Sequence, residues 1–185
     1  MNSKLKWNTK HKERIKQLED PAPNPRLIKL ASYLSGGNAL DLACGLGGNS
    51  LFLAQKDYKV QAIDISDVAI TYIQEQAANM HFSIDAKMAD LTAFDHFSWD
   101  NESFDMIVIT NYLDRKLFPS IKRILKEDGY FFMETYYQSP KAGNREIPTH
   151  YKLKPKELLK EFTDWQVLYY EENEHEGRQT IFCRK

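Results

Sequence analysis

The stretch Ala39-Leu40-Asp41-Leu42-Ala43-Cys44-Gly45-Leu46-Gly47-Gly48-Asn49-Ser50 decides the fold. Its first part is predicted as a strand over 39–43 and its last part opens a helix over 49–55, with glycines in the turn between them. Gly45 and Gly47 lack a Cβ, so they accept a positive φ and let a bound molecule approach the main chain. A turn of this kind at the carboxyl edge of a parallel sheet is the expected place for a nucleotide.

Outward from this turn, short apolar runs alternate with helical stretches. Strands are predicted over 60–63, 82–88, 104–110 and 130–135. The run Met106-Ile107-Val108-Ile109 has the pattern of a strand covered on both faces. Helices are predicted over 25–35, from 67 to about 79 with Ser66 as N-cap, from 117 until Gly129 stops the pattern, and over 155–162. The segments 166–170 and 180–184 read as a terminal hairpin. The sum is an α/β chain: a doubly wound, Rossmann-like, seven-stranded sheet with helices on both faces and a C-terminal antiparallel hairpin. We divide 1–185, as one domain, into an N-terminal lid and helix (1–35), a core (36–137) and a loop, helix and hairpin (138–185).

Composition narrows the field without naming an activity. The chain has 185 residues, 42% hydrophobic and 28% charged, which suits one globular domain of ordinary type. Its net charge of −1 argues against a dedicated nucleic-acid binder, because such domains are strongly basic. Residues 4–16 nevertheless hold six lysines and arginines, which read first as a solvated helix face. Two cysteines, Cys44 and Cys183, show no metal-ligand spacing, and a reducing, cytoplasmic setting is the expectation. The sequence shows no apolar signal region and no run of roughly 20 apolar residues, so neither a secretory leader nor a membrane span is expected. No metal site is expected either.

The chemistry of the turn limits the ligand. A dinucleotide site wants G-x-G-x-x-G and a pyrophosphate at the helix start, but Ser50 stands where the third glycine belongs. Asp41 beside the turn would repel a pyrophosphate, and it would welcome an ammonium or sulfonium. S-adenosylmethionine carries both.

The segment Asp41-Leu42-Ala43-Cys44-Gly45-Leu46-Gly47 resembles motif I of the class I S-adenosylmethionine-dependent methyltransferases, with Ala43 at the first glycine position. Val60-Gln61-Ala62-Ile63-Asp64-Ile65 resembles that family's second strand and its terminal acid. Lys87-Met88-Ala89-Asp90-Leu91 resembles the loop after the third, and Phe104–Leu113 the fourth strand and its exit. Leu125–Phe132 resembles the turn into the fifth. The resemblance implies S-adenosylmethionine as cofactor, S-adenosylhomocysteine as product, and a set of contacts around the turn. Asp41, Ala43, Cys44, Gly45, Gly47 and Asn49 belong to the turn itself. Asp64 and Ile65 would face the ribose, Ala89, Asp90 and Leu91 the adenine, and Asn111 and Tyr112 the methyl side.

The acceptor is the open question. Asn111-Tyr112-Leu113 lacks the proline pair common in enzymes that methylate base amines, and no cluster of acids suggests a catechol-type metal site. The Trp7-Asn8 start and the segment Tyr151–Leu159 resemble the small tellurite-resistance and thiopurine-type methyltransferases. That resemblance implies a small-molecule acceptor with a soft thiol or chalcogen nucleophile, and an N-terminal lid containing Trp7. Tyr136, Arg145, His150 and Tyr151 become substrate candidates, Arg145 for an anionic acceptor. Tyr112 and His150 are the catalytic candidates, with His150 able to take a proton. RNA or protein methylation and a non-catalytic cofactor-binding module stand as alternatives. A nicotinamide oxidoreductase is weakened by Ser50. A monomer or homodimer without membrane or nucleic-acid partners is expected.

Overall fold

The structure is a computed structural model that describes residues 3–17, 21–141 and 146–185. Seven strands form one mixed sheet. The chain divides into two compact units, Met1–Phe97 and Ser98–Lys185.

In the first unit, α1 (Ser3–Lys16) and α2 (Pro25–Lys29) precede β1 (Gly37–Leu42), α3 (Gly48–Ala54), β2 (Tyr58–Asp64), α4 (Asp67–Met80) and β3 (Ile84–Met88). The three strands are parallel, with Leu42 opposite Ile63 and Asp64 opposite Met88. That register brings their carboxyl ends side by side, so the turns that follow β1, β2 and β3 meet at one edge. Leu40, Leu42, Val60, Ala62 and Ile63 are buried together with Leu53, Ile70 and Ile73 of the helices. At roughly 2 kcal/mol per fully buried aliphatic side chain, this burial is what holds the edge rigid. Ser66 caps α4, its hydroxyl accepting from the Ala69 N–H at 3.2 Å.

In the second unit, β4 (Phe104–Thr110) runs parallel to β5 (Leu125–Tyr136) after α5 (Leu117–Ile124). Then come α6 (Glu157–Glu161), β6 (Gln166–Asn173) and β7 (Arg178–Arg184), and β7 pairs antiparallel with both β5 and β6. Met106, Ile107, Val108 and Ile109 are at most 1% exposed, as an unbroken apolar strand requires. Phe131, Phe162 and Trp165 pack ring to ring, and Phe118 joins them through Phe162.

Several expected ends shift by one or two residues, and two expected helices end five or more residues early. The helix expected over 25–35 stops at Lys29 and continues as a short 3-10 turn, Ala31–Tyr33. Leu27 is fully buried while Ile28 is 45% exposed, so the apolar spacing does not describe one buried face. The helix expected to run to Gly129 ends at Ile124, because Leu125 pairs with Phe104. The next pair is Met106 with Tyr130, so Lys126–Gly129 bulge out opposite a single residue of β4. Lys126 binds both Asp105 oxygens at 2.9 Å, and Asp128 takes a positive φ of 64°.

Candidate functional site

The edge of the first unit gathers Asp41, the glycine turn, Asp64 and Asp90 from successive strand ends. Asp41 is fully buried, and Ser50 Oγ donates to its Oδ2 at 2.6 Å. Its Oδ1 has no hydrogen-bond partner. Burial pushes the Asp41 carboxyl up to about 7, the bond from Ser50 opposes this, and the charge of Asp64 adds to it. Ala43 holds a φ of 55°, the left-handed conformation that suits the glycine usual in motif I and costs an alanine about 1 kcal/mol. Cys44 donates its N–H to Ile63 O at 3.1 Å and so ties the turn to β2. Burial raises its thiol well above the ordinary cysteine range, which makes Cys44 a filler and not a nucleophile. Cys44 and Cys183 are both free.

Gly47 has a φ of 82°, and a Cβ there would lie 2.6 Å from Ile73 Cγ1. At Gly48 a Cβ would lie 2.4 Å from Ala22 O, so this glycine admits the backbone of residues 21–22 against the start of α3. Asn49 holds the same segment, accepting the Asn24 N–H at 2.8 Å. Its amide is therefore a brace for the chain entering α2.

Asp64 is the hub of the edge. Its Oδ2 accepts from Gly45 N–H at 2.8 Å and its Oδ1 from Ser66 N–H at 2.9 Å. Each carboxylate oxygen keeps a second lone pair, so the side chain both shapes the turn and can still accept from a diol. Ala89 donates its N–H to Asp64 O at 2.9 Å, which carries the loop after β3 to the same place. Ile65 is half-buried and Leu91 buried. Asp90 is exposed, with Oδ1 accepting from Thr92 N and Oγ1 at 2.9 and 2.7 Å.

The N-terminal helix seats on this edge. Ser66 Oγ donates to Asn8 Oδ1 at 2.6 Å, Asn8 Nδ2 donates to Asp67 at 2.9 Å, and Lys4 pairs with Asp67 at 2.7 Å. His11 is 3% exposed, and its Cε1 lies 3.4 Å from where a Gly45 Cβ would stand. Its Nδ1 has no partner. Burial lowers its proton affinity, the charge of Asp64 opposes that, and Arg14 and Lys10 add to the lowering. Trp7 stacks on His11 at 5.8 Å between centroids, with the Lys10 ammonium 4.9 Å from the indole. Sequence reading named Trp7 and missed His11, which looked like one more polar residue in a basic run.

In the second unit, Asn111 has a φ of 60° at the exit of β4 and donates its N–H to Glu134 O at 2.9 Å. Its side-chain oxygen accepts from the Arg178 guanidinium. That guanidinium lies 3.7 Å from the centroid of Tyr136. Tyr136 and Arg178 are register partners on β5 and β7, so the pairing across the sheet makes this cluster. Arg178 was not among the candidates. Tyr112 is half-buried, while His150 and Tyr151 are exposed with their rings 4.0 Å apart. Arg115 fastens their segment, donating to Glu157 at 2.5 and 3.0 Å and to the carbonyl oxygens of His150 and Lys152 at 3.2 and 3.1 Å. Arg145 lies outside the described residues. Among the described residues no group of acids, histidines and cysteines could hold a metal ion, and no helix is long and apolar enough to cross a membrane.

A parallel sheet with a glycine turn after β1, acids after β2 and β3, and an antiparallel C-terminal hairpin is the methyltransferase fold. Residues 16–181 match the family model described as tellurite resistance protein TehB, and the chain belongs to that family. A probable S-adenosyl-L-methionine-dependent methyltransferase TehB of Haemophilus influenzae is 28% identical over 160 residues, covering 83% of this chain and 54% of that protein. The chain thus spans about half the length of that relative. The crystal structure of TehB from Haemophilus influenzae superposes with a TM-score of 0.74 at 24% identity, covering 93% of this chain and 65% of that one. A SAM-dependent methyltransferase from Aquifex aeolicus has a TM-score of 0.67 at 16% identity, covering 92% of this chain and 96% of its own. These two likenesses are in fold.

Proposed function

We propose that the chain transfers a methyl group from S-adenosylmethionine to a small soft nucleophile, a thiol or a chalcogen oxyanion or its reduced form. The observation that carries the reading is the convergence of Asp41, Asp64 and Asp90 on one glycine turn, with Asp41 Oδ1 buried and unpartnered. A buried unpaired acceptor is costly unless something donates to it. The donor's ammonium suits Asp41, its ribose hydroxyls suit the remaining lone pairs of Asp64, and its adenine amine suits Asp90. When bound, the donor supplies a sulfonium methyl open to in-line displacement.

The protein's own part is binding, orientation and exclusion of water. Asp64 fixes the turn through Gly45 and Ser66 at the same time as it accepts from the ligand. The helix α1, with Trp7 and His11, covers the turn and limits access of water to it. An ionised thiol or reduced chalcogen needs no general base. We assign the acceptor side to Asn111, Tyr112, Tyr136 and Arg178, with Arg178 taking the anion-holding role first expected of Arg145. Tyr151 and His150, the candidate base, stand on the exposed surface of the same unit.

The test is a panel of thiol, selenite, tellurite, hydroxyl and amine acceptors, read by S-adenosylhomocysteine formation. Turnover confined to thiol and chalcogen acceptors supports the reading. Turnover confined to amines or to macromolecules overturns the acceptor class, and a chain that binds no S-adenosylhomocysteine overturns the reading as a whole.

A further inference from the structure

Among the described residues, the buried side-chain polar atoms without a hydrogen-bond partner are His11 Nδ1 and Asp41 Oδ1. They belong to different elements, α1 and β1, and both border the glycine turn. Asp41 reaches it through Ser50 at the start of α3, and His11 reaches it directly at Gly45. One orphan is a carboxylate oxygen, which only accepts while ionised. The other is an imidazole nitrogen, which donates whenever it carries the proton. A cation for the carboxylate and an anion for the imidazole N–H are what the zwitterionic end of an α-amino acid offers together.

Resting on the donor-binding reading above, we propose that His11 holds the carboxylate of the donor's amino-acid end through Nδ1–H, opposite the ammonium held by Asp41. Three features of the structure support it. His11 Cε1 lies 3.4 Å from where a Gly45 Cβ would stand, and Nδ1 is one bond from Cε1, so the orphan nitrogen lies close to the glycine turn. The ring is fixed in orientation by stacking on Trp7. Besides the buried His11 ring, α1 is held by bonds from Lys4 and Asn8 to Ser66 and Asp67, so the helix keeps these anchors when His11 is replaced by another ring. His11 is then a binding residue supplied by the covering helix, and the helix reads the donor's carboxylate as it covers the turn.

The test compares two ligands that differ by one group: S-adenosylhomocysteine and its decarboxylated analogue, S-adenosyl-3-thiopropylamine. Calorimetry on the full chain should give the wild type a preference for S-adenosylhomocysteine of at least about tenfold, the size expected for a hydrogen bond to a charged group. In His11→Phe that preference should fall to within about twofold while affinity for the decarboxylated ligand holds, and His11→Gln should restore part of it. A His11→Phe variant that keeps the preference overturns the assignment. So does one that weakens both ligands equally, since the ring would then only pack. A measurement on the wild type needs no variant: the His11 ring resonances should shift with S-adenosylhomocysteine and stay put with the decarboxylated ligand. Equal shifts with both overturn the assignment. Wild type that binds neither ligand overturns the donor reading itself, whereas binding without preference overturns His11 alone.

Discussion

The glycine turn of the first unit and the segment after β5 in the second were both singled out from sequence, and they fold in opposite ways. At the turn, Asp41 and Asp64 are buried, and each carboxylate is already bonded to the protein that surrounds it. After β5, His150 and Tyr151 stand exposed, and their segment is fastened through backbone carbonyls by Arg115. The difference teaches that motif residues can be architectural and ligand-directed together, while residues chosen for reactivity in a loop contribute little to the folded state.

The sharpest way to break this contrast is Asp64→Ala. It removes two charge-assisted bonds to backbone N–H groups, so a loss of about 2–4 kcal/mol in denaturant titration is expected. S-adenosylhomocysteine binding should fall by roughly a hundredfold or more. Retained binding at full strength would mean that Asp64 only shapes the turn.

Asp41→Asn should change the pH dependence of stability. The folded-state carboxyl is raised from 3.8 to about 7, so its contribution is fully present below 3.8 and is lost as pH rises toward about 7. Relative to Asp41→Asn, the wild type should therefore lose stability across that window, by up to about 1.4 kcal/mol per pH unit. Parallel curves for the two proteins in urea melts from pH 4 to 8 would mean that burial does not raise the Asp41 carboxyl.

Arg115→Ala should cost about 1–2 kcal/mol, since the Arg115–Glu157 pair is partly exposed and its main work is on the carbonyls of residues 150 and 152. Thermal melts would read this. His150→Ala is expected to change stability by less than about 0.5 kcal/mol, as surface substitutions usually do. A large loss of turnover in His150→Ala with a thiol acceptor, at unchanged stability, would give the loop a catalytic role and erase the contrast.

Much of the first unit was legible because its pattern is local. The alternation of apolar runs and helical spacing marks β1, α3, β2 and α4, and Ser66 before Asp67 signals the cap that the Ala69 N–H uses. The spacing of Asp41, Gly45, Gly47, Asp64 and Asp90 survives as one edge because parallel register aligns the strand ends. The second unit was less legible. Leu117, Ile121, Ile124 and Leu125 fit one helical face, yet Leu125 belongs to a strand, since its partner Phe104 lies far away in sequence. Arg178 looked like an ordinary residue near the C-terminus until the β5–β7 register set it over Tyr136.

The sequence alone determined the α/β alternation, the glycine turn with its acids, and the absence of the third glycine that a dinucleotide site wants. These follow from propensity, from the missing Cβ and from fixed spacing along the chain. Only the tertiary structure decided that Asp64 spends one oxygen on Gly45 and the other on Ser66, that Ala43 takes a glycine's φ, and that a histidine from a basic helix is sealed against Gly45. Burial and unmet hydrogen bonds are properties of what the rest of the chain packs against a residue, and no local pattern around His11 encodes them.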